Sequence, residues 1–92
     1  MNTILIGYDL NRPGQNYPGL ITAIKRLGSW WHHLDSTWIV ETKLSPSEVR
    51  DQLKRHVDTG DEIFVVDITD RTWASWGLNQ RANRWLNSHV AA

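Results

Sequence analysis

Eight residues near the start of the chain, Thr3-Ile4-Leu5-Ile6-Gly7-Tyr8-Asp9-Leu10, limit the fold more than any other stretch. At the two-residue period of a β-strand, Ile4, Ile6, Tyr8 and Leu10 share one face, and Leu5, Gly7 and Asp9 share the other. A strand that is apolar on both faces belongs in the middle of a sheet with both sides covered. Asp9 interrupts that pattern where the strand ends. A carboxylate at the mouth of an apolar strand is costly unless it is wet, hydrogen-bonded, paired or metal-bound. This makes Asp9 the first candidate for chemistry.

The loop Asn11–Gly19 follows, with two prolines and two glycines. It is longer than most connections, and long loops often carry function. Pro18 suits the first turn of a helix. Leu20, Ile21, Ile24 and Leu27 then recur at helical spacing, which predicts a helix over Pro18–Leu27 with Gly28 as its C-cap. Trp30–His33 and Thr37–Lys43 read as two strands turning at Leu34–Ser36, with one long bent strand as the alternative. Ser45-Pro46-Ser47-Glu48 is a capping box with proline at the first helical position. Val49, Leu53 and Val57 line one face of the helix it starts, and Thr59-Gly60-Asp61 ends it. Glu62–Ile68 is a further apolar strand, interrupted near its end by Asp67 much as Asp9 interrupts the first. Arg71–Leu78 reads as an edge strand or an ordered loop. Asn79–His89 reads as a last helix with Ala82, Trp85 and Leu86 on one side.

The order is β-α-β-β-α-β with an extension. Two β-α-β units with right-handed crossovers give an α+β, ferredoxin-like fold: a four-stranded antiparallel sheet with two helices on one face. Residues 1–70 form this domain. Residues 71–92 are a tryptophan-rich C-terminal extension that packs on the same domain or on a dimer partner, because the open sheet face needs a cover. At 92 residues the chain makes one small domain. Ten basic residues balance ten acidic ones, which weighs against binding nucleic acid over the whole surface but leaves room for a local basic face. The absence of cysteine excludes disulfides and thiolate metal sites. No secretory leader or spanning segment is legible, so the expectation is a cytoplasmic protein with no membrane partner. Six tryptophans exceed what one small core can hold, and several are expected at an interface or binding surface.

Three stretches carry a resemblance: Ile6-Gly7-Tyr8-Asp9-Leu10; Leu34-Asp35-Ser36-Thr37-Trp38-Ile39-Val40 with Lys43-Leu44-Ser45-Pro46-Ser47-Glu48; and Glu62-Ile63-Phe64-Val65-Val66-Asp67-Ile68-Thr69. Together they resemble the CRISPR-associated adaptation nuclease-like family, small ferredoxin-like homodimers that include the virulence-associated D toxins. Asn11-Arg12-Pro13-Gly14-Gln15-Asn16-Tyr17 and Trp30-Trp31 are similar to its SinR-like branch. The resemblance implies a nucleic-acid-associated homodimer. It further implies a metal-dependent endonuclease in which Asp9 of both subunits holds Mg²⁺ or Mn²⁺ at the dimer axis. The chain departs from the family pattern in its Pro/Gly-rich first loop, its neutral charge and the lack of a basic cluster beside Asp9 other than Arg12.

Each candidate has a plainer reading. Asp9 could accept backbone N–H groups from the loop that follows it. Asp67 could join Asp9 if their strands are neighbours, or cap a turn. Asp70 reads as a turn residue. His32 and His33 alternate faces, and no second ligand stands at a clean spacing from either. Arg12, Gln15, Asn16 and Tyr17 form a polar loop able to meet phosphate or a base, or one that is only structural. Arg71, Trp73 and Trp76, with Arg81 and Arg84, interleave arginine and aromatic rings as single-stranded nucleic-acid sites do. Alternatively, the two tryptophans cover the partner's sheet. The functional alternative is a non-catalytic homodimeric module that binds another protein, as in a toxin–antitoxin or phage accessory system.

Overall fold

A computed structural model describes residues 1–11 and 17–90. The elements run β1 (Asn2–Asp9), α1 (Pro18–Lys25), β2 (Ser29–Leu34), β3 (Thr37–Thr42), α2 (Pro46–Leu53), a 3₁₀ turn (Lys54–His56), β4 (Glu62–Asp67) and α3 (Gln80–His89). They form one four-stranded sheet in the order β2-β3-β1-β4, antiparallel throughout, which is the ferredoxin-like order. The strand that is apolar on both faces is therefore central, flanked by β3 and β4.

The sheet separates two cores. On one face Ile4, Ile6, Trp38 and Val40 pack against Leu20 and Ile24 of α1 and Val49 and Leu53 of α2, all buried. Burial of each large side chain contributes about 1.5–3 kcal/mol. On the other face Trp31 and Ile39 pack against Ala82 and Leu86 of α3 and against Val90, with Leu5, Ile68 and Trp73 at the margin. Polar contacts fasten α3 there. Trp31 Nε1 donates to the Ala82 carbonyl at 3.2 Å, Trp85 Nε1 donates to Ser29 Oγ at 3.2 Å, and Thr3 Oγ1 donates to the His89 carbonyl at 3.0 Å. The extension thus covers its own domain. Of the two tryptophans read as covering a sheet, Trp73 lies at the margin of its own domain's second core.

Local chemistry sets the boundaries. Ser45 Oγ accepts from the Glu48 amide at 3.3 Å, and Glu48 Oε1 accepts from the Ser45 amide at 3.0 Å, so the capping box forms in full. Ser45→Ala is expected to cost about 1 kcal/mol in a urea titration, with the m-value unchanged. Asn79 Oδ1 caps α3 through the Ala82 amide at 2.8 Å. Helix α1 stops at Lys25 with Arg26 as its C-cap, short of the predicted Leu27. Gly28 does other work: its φ is 156°, and a Cβ there would stand 1.9 Å from the Glu41 carbonyl oxygen. Its absent side chain lets the entry to β2 lie directly on β3. Residues 35–36 turn between two separate strands, and residues 71–79 hold no strand. No helix of the described residues is long and apolar enough to cross a membrane.

Candidate functional site

Asp9 ends β1, directly across from Glu62 of β4. It is exposed, and among the described residues no hydrogen bond or ion pair holds its carboxylate. With Gly7, Tyr8, Glu62, Ile63 and Phe64 it lines a shallow depression of about 420 Å³. The carboxylate that engages both Asn11 and Tyr17 is a different one, Asp61. It accepts from the Asn11 amide at 2.8 Å, from the Asp58 amide at 2.7 Å and from the Tyr17 hydroxyl at 3.2 Å. Asp61 follows Gly60, reads in sequence as the end of a helix and gives no sign of this role. It takes the Asn11 amide, one of the donors that the plainer reading assigned to Asp9.

Asp67 does not join Asp9. The two strands are neighbours, but they are antiparallel, so Asp9 faces Glu62 while Asp67 faces Ile4. Five residues along β1 separate the two positions, roughly 17 Å at ~3.3 Å per residue. Asp67 instead caps the turn after β4: its Oδ1 accepts from the Thr69 hydroxyl and, at 2.8 Å, from the Thr69 amide. Those two bonds, the hydroxyl first, hold its carboxyl below the usual range. Thr69 Oγ1 in turn accepts from the Thr3 amide at 2.9 Å. Asp70 adopts φ 60°, a turn conformation that aspartate tolerates.

Arg12, Gln15 and Asn16 lie outside the described residues. Tyr17 is half-buried at the N-cap of α1 and serves as an anchor to Asp61. Arg71 and Trp73 come together along an apolar cavity of about 270 Å³ between the extension and the sheet, with Leu5, Trp31 and Ile39 on its floor. Trp73 is half-buried, and its Nε1 is buried with no hydrogen-bond partner among the described residues. Trp76 stands apart, 98% exposed. Asp9 and the Arg71–Trp73 pair thus sit in separate depressions with no lining residue in common.

One row of the sheet is only partly covered on the α3 side, its Leu34 and Thr37 lining the cavity under the extension. Leu34 pairs with Thr37, Thr37 with Gly7, and Gly7 with Phe64. Phe64 is 66% exposed and Leu34 50%. Gly7 leaves a dent in this row, since a Cβ there would meet nothing within 4 Å. Asp9 and Glu62 form the next row outward. The acidic pair therefore rims a partly open apolar strip.

Among the described residues no group of three or more His, Cys, Asp or Glu is placed to hold a metal ion. At this depression the described residues bring Asp9 and Glu62 together. Oxygen donors of this kind suit a hard divalent cation, which is usually bound through one or two carboxylates with waters and phosphate completing the shell. No protein-family model matches the chain, and no solved structure matches it.

Proposed function

We propose that the chain works as a nucleic-acid-associated homodimer, joined through the strip Leu34–Thr37–Gly7–Phe64, and that paired Asp9 residues make it a metal-dependent endonuclease. The observation that carries this reading is an exposed carboxylate, with no hydrogen-bond or ion-pair partner among the described residues, at the rim of a partly open apolar row. Large exposed apolar side chains in a row mark an interface. A glycine within a strand lets another backbone approach closely. A two-fold axis near that dent brings the rims of both copies together. Asp9, with Glu62 beside it, would hold Mg²⁺ or Mn²⁺. A cation bound there supplies Lewis-acid activation of water or of a phosphodiester. The resemblance of Ile6–Leu10 to the adaptation nuclease-like family points the same way.

The test is cleavage of single- and double-stranded DNA and RNA with Mg²⁺, with Mn²⁺ or with EDTA. The expected result is metal-dependent cleavage that falls at least about 100-fold in Asp9→Ala, with the fold intact. Light scattering should give a dimer for the wild type and a monomer for Phe64→Glu. Cleavage that survives in Asp9→Ala, or none under any condition, removes the enzyme reading. A dimer without cleavage leaves the non-catalytic module that binds a protein partner, a reading that the fully presented Trp76 ring favours.

A further inference from the structure

A second groove, away from Asp9, follows the free edge of β2. Trp30, His32 and His33 of β2 and Arg81 and Trp85 of α3 line it, and its volume is about 440 Å³. That is within the ~300–1,000 Å³ range of small-ligand sites. β2 has a partner only on its β3 side, so the alternation of its side chains wraps the groove around the sheet edge.

The aromatic rings are held in place. Trp85 donates through Nε1 to Ser29 and stacks on His89 with 4.0 Å between centroids. Trp30 leans on the buried Trp38 at 5.4 Å yet stays 42% exposed, and Lys25 Nζ lies 4.9 Å from its ring centre. His32 stacks on Trp38 at 3.7 Å. Rings fixed in this way lose little freedom when a flat ligand stacks on them.

The charge has one sign. Among the described residues no carboxylate lines the groove. Arg81 is the second residue of α3, whose first turn holds no acidic residue. A helix N-terminus favours an anion, so a cation there is out of place unless an anion joins it. The ion pairs among the described residues are Arg50–Asp51 and Lys54–Asp51, neither of which engages Arg81.

We infer that this groove binds single-stranded nucleic acid, with bases stacked at Trp30 and at Trp85 and a phosphate at Arg81. This rests on the nucleic-acid reading and adds the form of the strand. Bases within a duplex are already stacked and cannot lie on an aromatic side chain, whereas an unpaired base can. The arginine–tryptophan pairing legible in the sequence is thereby moved from Trp73 and Trp76 to Trp30 and Trp85.

The experiment titrates wild type, Trp30→Ala and Arg81→Gln with fluorescein-labelled oligothymidylate and oligouridylate, with the matching duplexes and with a single mononucleotide. Anisotropy and intrinsic tryptophan quenching are the readouts. The expected result is single-strand binding with quenching, at least about tenfold tighter than duplex. Each variant should lose roughly 5- to 100-fold in affinity, and Arg81→Gln should flatten the log–log salt slope by about 0.7. Mononucleotide binding as tight as strand binding assigns the groove to a free nucleotide and overturns the strand. Equal duplex binding, or variants that bind as wild type, also overturns it. Crosslinking of an iodouridine strand to wild-type protein does not depend on the variants: adducts on Trp30 or Trp85 support the site, and adducts only elsewhere reject it. Strand binding that needs Trp30 and Arg81 while cleavage is absent keeps the groove and retires the endonuclease. Binding indifferent to both residues retires the groove alone.

Discussion

Trp38→Ala should remove about 3–5 kcal/mol of stability in chemical denaturation, a large share of the ~5–15 kcal/mol typical of a small domain. Trp38 is 1% exposed and is the largest fully buried side chain. Its removal leaves a void between the sheet and the two helices that small neighbours cannot fill. Its Nε1 donates to the Tyr8 hydroxyl at 3.0 Å. Tyr8→Phe separates the two contributions: it keeps the packing but strands a buried indole N–H, at about 1–3 kcal/mol. A loss in Trp38→Ala no larger than in Tyr8→Phe would mean that the hydrogen bond, not the filled volume, dominates. Trp38 also carries the rings of Trp30 and His32. Trp38→Phe should therefore leave a folded protein whose β2 groove is looser.

Gly28→Ala is the second large effect, and it acts through the backbone. The new methyl would lie 1.9 Å from the Glu41 carbonyl oxygen, and no rotation of a side chain relieves that overlap. Either β2 moves off β3 or the turn after α1 rebuilds in a different conformation. Strain and displaced pairing together put the cost at roughly 3 kcal/mol or more. A thermal melt lowered by more than about 12 °C would agree, at about 4–8 °C per kcal/mol for a domain of this size. A shift of under 4 °C would show that the chain re-routes there cheaply. Gly60→Ala is a milder comparison, because the nearest atom to its added Cβ would be the Asn11 side-chain nitrogen at 3.2 Å.

The central strand, the capping box and the last helix were legible because each depends on near neighbours in sequence: a period of two, a spacing of three, a polar residue before an amphipathic run. The role of Gly28 was not. The sequence near it reads as a helix cap, and the carbonyl that demands a glycine lies thirteen residues away across the strand pair. Asp9 could be singled out as an odd carboxylate, but its separation from Asp67 depends on the register of the β1–β4 pair, which no local pattern carries. Asp61 was missed for the same reason: donors from Asn11, Tyr17 and Asp58 converge on it only after β1 and β4 are paired. The second groove is assembled from β2 and α3, roughly fifty residues apart, and no local pattern announces it.

The central place of β1 also bears on how the chain reaches its folded state. Its partners β3 and β4 begin at Thr37 and Glu62, and α3, which closes the second face, begins at Gln80. On the ribosome, β1 emerges before both of its sheet neighbours and waits for them. Local helices can form early, but the sheet gains its middle only when distant segments return, and such non-local pairing is slow. During that interval Thr3–Leu10 is an unpaired strand open to other chains. The burden of avoiding misassembly therefore falls on β1, which is relieved only once β3, β4 and then α3 have joined it.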